Sequence, residues 1–368
     1  MSKVLPYSLL QPSTSPLPVS WYSDDKIFEL EMKLIFESGA RYVGHELMVP
    51  HLNDFHAQVG SDSARILSHQ EDGIYDMSNV CRHRQAIMLE GSGNAKNIVC
   101  PIHRWTYDCK GALVGAPHFS QNPQLNLEKQ KLENWQGLLF NGPRSATSDL
   151  SGMRFSEAFD FRGYRLDRIE KHLCNYNWKT FIEVYLEDYH VASYHPGLGG
   201  FVTCDDLSWQ FGDWYSVQQV GLQSLMKPGS ATYQRWHNAV LDYHDGKLPK
   251  HGAIWLTYYP NVMVEWYPQV LIVSTLIPQS VSETLNVVEF YYAEDIALFE
   301  PEFIAAQQAA YMETAREDDD IAERMDRGRY ALKKQRRNET GPYQSPMEDG
   351  MRHFHEHYRR IMGANLGW

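Results

Sequence analysis

The 368-residue chain has only five cysteines, an odd number and widely spaced, which excludes a disulfide framework and leaves reduced thiols or metal ligands. No apolar run approaches a membrane span, and no apolar stretch follows a basic segment at the start, so we expect a cytoplasmic protein with no membrane partner. Clustered positive charge is also missing. Acidic residues outnumber basic ones by 46 to 34, giving a formal net charge of −12 and arguing against nucleic acid as a partner. The one basic run, "KKQRR" at Lys333–Arg337, follows an acidic stretch and reads as a solvated helix face. There is no Gly-rich dinucleotide fingerprint, because "GSGN" at Gly91–Asn94 is too short, and no internal repeat or low-complexity tract.

Aromatic residues, in contrast, are plentiful. Ten Trp and 22 Tyr suit large cores, or pockets for flat or cationic ligands. The opening "LLQPSTSPLP" reads as an irregular arm, and "SDDKIFELEMKLIFESG" as a helix capped by Ser23 and stopped by Gly39. From about Arg41 to Pro143, short β-type runs such as "RYVGHELMV", "NIVCPI" and "WQGLLFNG" alternate with turn residues and predict a small all-β domain. The polar stretch "RSATSDLSG" marks a boundary. Beyond it, "AIWLTYYPNVMVEWYPQVLIVSTLIP" predicts successive antiparallel strands, and the chain ends in helices. The expectation is an α+β chain: an arm and helix over residues 1–40, a β domain over 41–146 and a larger α+β domain over 147–368.

Two of the cysteines sit beside histidines. Cys81 and His83 form C-x-H; sixteen residues later, Cys100 and His103 form C-x-x-H. Zinc accepts a Cys2His2 set, but zinc-finger spacing pairs cysteine with cysteine and histidine with histidine. The interleaved order here suits a Rieske [2Fe–2S] centre, in which one iron takes two thiolates and the other two imidazoles. Trp105 and Tyr107 are placed to shield such a cluster, while Pro101 and Gly111 supply loop rigidity and turn freedom. Cys109 fits no ligand position and reads as a small, partly buried thiol.

A second group lies in "NWKTFIEVYLEDYHVASYHPGLG". Apolar residues at Phe181, Ile182, Tyr185, Leu186 and Tyr189 have a helical period over Lys179–His190, which predicts that Glu183, Glu187 and His190 share one face. Pro196 ends or distorts the helix after His195, swinging that ring back toward His190. Two histidines at this spacing are either a satisfied structural pair or two thirds of a 2-His-1-carboxylate site for Fe(II).

Through "CRHRQ…NIVCPIHRWTYDCKGALVGAP" and the histidine segment, the sequence resembles the Rieske non-haem iron oxygenases, the ring-hydroxylating oxygenase α-subunits. The resemblance covers nearly the whole chain. It implies an all-β Rieske domain, a larger helix-grip-like catalytic domain with an antiparallel sheet, and two cofactors, a [2Fe–2S] cluster and a mononuclear Fe(II). Within the family an acid three residues before the first histidine links the two metal centres, which gives Glu187 here, with Asp188 the neighbouring acid. "TAREDDDIAERMDRG" resembles the late acidic helix of the family. Aligned on Ile321 and Glu323, it gives Asp318 as third iron ligand, with Asp319 and Asp320 close by, while Glu317, Asp319 and Asp320 also read as a solvated helix start. The resemblance further implies a homotrimer, a separate NAD(P)H-dependent reductase with or without a ferredoxin, and a small-molecule substrate.

The leading expectation is a terminal oxygenase that hydroxylates or dihydroxylates an aromatic compound. The alternative is a monooxygenase or N-demethylase of a quaternary ammonium compound of the betaine, choline or carnitine type. Trp209, Trp214, Tyr215, Trp255, Tyr258, Tyr259, Trp266 and Tyr267 are the candidates for a flat slot or a cation cage.

Overall fold

Short strands broken by glycine, asparagine and aspartate give the segment Ser38–Ser148 three small antiparallel sheets. One joins Arg41–His45, Leu138–Asn141 and Glu133–Trp135; a second has five strands centred on Asp54–Ala57, Arg65–Gln70 and Gly73–Ser78; the third joins Asn97–Val99, Thr106–Asp108 and Leu113–Gly115. The computed structural model describes residues 16–61, 63–222 and 229–366, so most of the Pro- and Ser-rich opening lies outside the described residues. Contacts divide the chain into this unit and a second one, Met1–Glu37 with Asp149–Trp368.

In the first unit His45 is fully buried, and its Nδ1 accepts a hydrogen bond from the Leu47 amide at 3.1 Å. Gly137, at φ +91°, leaves the ring its space: a Cβ there would lie 2.4 Å from His45 Nε2. Burial pushes the ring down to about 3.

The second unit is built on a seven-stranded antiparallel sheet. Its order is Tyr164–Cys174, Glu283–Ala293, Val270–Ser280, Val262–Tyr267, Ala253–Tyr258, Tyr215–Leu222 and Val202–Phe211. The predicted strands of "AIWLTYY…STLIP" are its middle, and they are buried along most of their length. Helix Pro301–Lys334 starts with proline at its first turn, where the missing N–H costs nothing. The basic run straddles its exposed end, where positive charge suits the macrodipole.

The helix predicted near the start is present as Asp25–Glu31, but Asp24 caps it instead of Ser23, accepting from the Lys26 amide at 2.9 Å. Glu31, wholly buried, takes hydrogen bonds from Lys179 Nζ at 2.6 Å and Trp178 Nε1 at 2.8 Å, and so fastens this helix to the sequence just before the histidine segment. No helix among the described residues is long and apolar enough to cross a membrane.

His45 is neutral when folded and protonated in the unfolded chain between about 3 and its ordinary 6.5, so the unfolded state binds more protons there and stability falls as pH drops through that window. The expected slope is about 1.4 kcal/mol per pH unit. Melting from pH 7 to 5, with visible absorption as the probe, should show a shallower slope in His45→Gln, which keeps an acceptor for Leu47.

Candidate metal centres

The loops holding Cys81 and Cys100 close in the same way. In each, the cysteine amide bonds the carbonyl five residues on, Ala86 or Trp105, and its own carbonyl accepts from the amide four residues on, Gln85 or Arg104. Gln85 and Arg104 both take left-handed conformations, at φ 56° and 60°. The two thiols are thereby buried at matching points of two similar loops, and the two rings stand with centroids 4.6 Å apart. His83 Nδ1 is buried with no hydrogen-bond partner. A buried orphan nitrogen beside two buried free thiols is a donor set waiting for a soft metal. Trp105 stacks on His83 at 4.9 Å, and the Tyr107 hydroxyl lies 3.8 Å from Cys81 Sγ, so both expected shielding residues are in position. The tip is open: His103 is exposed and Ile102 is 56% exposed.

The histidine segment departs from the sequence-based expectation. The helix spans only Trp178–Tyr185, with Asn177 as its cap, and does not continue to His190. At Leu186 the carbonyl turns aside to accept the Met351 amide, and the Asp188 amide reaches the Met347 carbonyl, both at 3.0 Å. Gly350 permits that approach, since a Cβ there would lie 2.8 Å from the Leu186 carbonyl oxygen and 2.3 Å from Trp209. A strand of chain more than 150 residues away therefore stops the helix. Glu183 is left on the other side, held by His355, Arg329 and the Tyr22 hydroxyl, and is not part of the histidine group.

After the break, the Glu187 carboxylate accepts from the His190 amide at 3.1 Å and from its Nδ1. A short helix, Val191–Tyr194, then ends at His195 before Pro196, and His195 does swing back. Its Nε2 lies 2.9 Å from His190 Nε2 and 2.9 Å from Asp318 Oδ1, while His190 Nε2 is 3.5 Å from that oxygen. The other side of the His195 ring, Nδ1, is 2.7 Å from Glu317 Oε2. Carboxylates thus take both Nδ1 protons, which leaves each Nε2 a lone pair pointing inward. Two lone pairs and a carboxylate oxygen facing one point can hold a cation between them. Burial opposes a charge on His190, yet Asp318 and Glu187 push it up to about 10. His190, His195 and Asp318 fit a 2-His-1-carboxylate iron.

The acidic run sits mid-helix, not at a helix start, and the reading of its other members as merely solvated is corrected. Asp319 receives His172 Nε2 at 2.8 Å and the Tyr176 hydroxyl at 2.7 Å, and Asp320 receives Tyr194 and Arg324. His172, Cys174 and Asp319 form a second close group, in which the hydrogen bond to Asp319 pushes His172 up to about 10.

A cavity of about 210 Å³ adjoins the histidines. Of the eight aromatics expected from sequence, only Trp255 and Tyr267 line it; beside Tyr176, the helical residues Phe181, Tyr185, Tyr233, Trp236 and Tyr311 complete its aromatic wall. Trp214 and Tyr259 pack in the core against the C-terminal helix, Trp209 stacks on Phe211, Trp266 meets His251, and Tyr258 bonds Asp149. The missed helical residues lie on three different helices, and no local signal separates them from core positions.

Comparison with known proteins gives the two domain types. Residues 41–133 match the family model for the Rieske [2Fe-2S] domain, and residues 155–364 match the ring hydroxylating alpha subunit (catalytic domain). The chain belongs to the Rieske oxygenases of the ring-hydroxylating α-subunit family. It is 60% identical over 354 residues to the putrescine 2-hydroxylase of Ralstonia nicotianae, covering 96% of this chain and 97% of that one. It is 56% identical to the putrescine 2-hydroxylase of Bordetella bronchiseptica, covering 96% and 86%. Among solved structures, the quaternary ammonium Rieske monooxygenase CntA with L-carnitine aligns over 100% of both chains with a TM-score of 0.75 at 20% identity. As a Rieske oxygenase the chain is an oxidoreductase whose cofactors are a [2Fe–2S] cluster and a mononuclear iron.

Because Glu317 touches the iron site only through His195, Glu317→Gln should weaken iron binding by about 10–100-fold and leave the red-brown cluster absorption unchanged. Metal analysis after graded chelation, read beside the visible spectrum, checks this.

Proposed function

We propose that this chain is the oxygenase component of a system that hydroxylates a carbon of a short aliphatic diamine of the putrescine type. The 60% identity across 96% of the chain to a protein named putrescine 2-hydroxylase carries the reading. The cavity supports it: about 210 Å³ is below the roughly 300–1,000 Å³ typical for drug-sized ligands, which suits a short chain, and a buried carboxylate, Glu265, offers a counter-charge. An arene has no use for that carboxylate, so the aromatic substrate expected first gives way to an amine. The quaternary ammonium alternative shares the cationic head but rests on relatives of much lower identity.

In this reading residues 41–146 hold the cluster through Cys81, His83, Cys100 and His103. Residues 147–368, with the helix Asp25–Glu31 packed on them, hold the iron through His190, His195 and Asp318. The bound iron supplies O2 activation, fed one electron at a time through the cluster by a separate NAD(P)H-dependent reductase, with or without a ferredoxin. The balance is one substrate C–H bond, O2, two electrons and two protons in, and one C–OH bond and water out. The chain's own groups orient and protect. Glu187 and Glu317 fix the two rings by holding their Nδ1 protons, and the aromatic wall keeps bulk water from the reacting carbon.

The assembly we propose is a head-to-tail homotrimer in which His103 of one copy approaches Glu187, and through it His190, of the next. The exposure of His103 and Ile102 and the Glu187–His190 contact support this, as does the inter-subunit electron transfer described for the quaternary ammonium Rieske monooxygenase of the same fold.

Reduced, iron-loaded protein given 18O2 and putrescine should yield a hydroxylated diamine carrying one labelled oxygen, detected by mass, with little turnover of L-carnitine or naphthalene. Preferred turnover of either competitor would replace the diamine reading. In Glu187→Gln, compared with wild type at matched iron content because the variant also loses the carboxylate that holds the His190 ring, the prereduced cluster should reoxidise at least about 100-fold more slowly with substrate and O2 present. An unchanged single-turnover yield would remove the relay.

A further inference from the structure

Glu265 is the buried carboxylate that the iron chemistry leaves unused. It lies on strand Val262–Tyr267, directly across from Trp255 on one neighbouring strand and Ile272 on the other, and is 5% exposed. Its Oε2 accepts from the Tyr267 hydroxyl at 3.0 Å. Among the described residues no lysine, arginine or histidine forms an ion pair with it, which is unusual for a carboxylate buried this deeply. It opens instead on the cavity, where its neighbours are rings. Tyr267 stands between Trp236 and Trp255, with centroid distances of 5.5 and 6.2 Å. The Tyr185 hydroxyl, also buried on the cavity wall, interacts with the same carboxylate.

A carboxylate with no ion pair, set among tyrosine hydroxyls and two indoles, makes the electron-rich surroundings that an alkylammonium requires. We infer that Glu265 is the ammonium anchor of the substrate pocket, the group that selects an alkylammonium over a neutral chain of equal length and fixes which carbon faces the iron. This rests on the diamine reading for the identity of the substrate. The electrostatics agree: burial pushes Glu265 up to about 7 against the Tyr267 hydrogen bond, so an arriving ammonium gives the carboxylate the counter-charge that the fold withholds.

The test is calorimetric binding by the full-length, cluster- and iron-loaded protein without O2, using putrescine and its neutral isostere butane-1,4-diol. Wild type should prefer the diamine. Glu265→Gln should bind it roughly 30-fold or more weakly with little change toward the diol, and Glu265→Asp, which keeps the charge, should recover part of the preference. Equal affinity of wild type and Glu265→Gln for the diamine would overturn the anchor. So would equal losses for diamine and diol, which mark a merely structural residue, or failure of wild type to bind the diamine at all. If wild type binds the diamine through Glu265 but forms no hydroxylated product from it, the anchor stands and the proposed reaction falls.

Discussion

Four consecutive acids in the middle of one helix, Glu317 to Asp320, are the constraint on which the catalytic unit depends. Successive helical residues point about 100° apart, so the four carboxylates cannot share one counter-charge and each must find its own. Glu317 takes His195, Asp318 faces both His190 and His195, Asp319 takes His172 and Tyr176, and Asp320 takes Tyr194 and Arg324. The partners come from a sheet edge, a helix break and a short helix, which the acidic run gathers around one axis. Asp318 alone faces no fixed positive group or proton donor other than two rings whose other nitrogens are already committed, and a metal ion meets that need.

The sheet does the complementary work. Trp255, Glu265, Tyr267, Ser274, Asn286 and Val288 alternate with residues of the opposite face, so one surface of four adjacent strands becomes a continuous floor beneath the long helix. Aromatic and apolar residues of that floor exclude water, and Ser274, Asn286 and Glu265 make it polar in places, with Glu265 its one acidic residue.

The cluster unit solves a different problem with less material. Two short loops close through the same pair of backbone hydrogen bonds, each needing a left-handed residue at its fifth position, and each presents one thiol and one imidazole. The thiols are buried and one ring is exposed, which keeps solvent from the sulfurs.

Much of this was legible in the sequence. Interleaved C-x-H and C-x-x-H spacing anticipated two similar loops that bring the two rings together beside buried thiols, because loop geometry is local, and the return of His195 followed from Pro196 for the same reason. The helix-forming period over Lys179–His190 misled, since periodicity reports which residues favour a helix and not whether a distant chain will compete for the carbonyl of Leu186. Likewise Glu317 read as solvent-facing because nothing near it in sequence is its partner; His195 is 122 residues away. The sequence by itself determined the chemistry available: two thiols, a few imidazoles, a run of acids and a surplus of aromatic rings. Only the tertiary structure decided which of them meet, because hydrogen bonds and burial between residues far apart in the chain, not local propensity, end the helix before His190 and leave Glu265 on the cavity wall with no ion pair among the described residues.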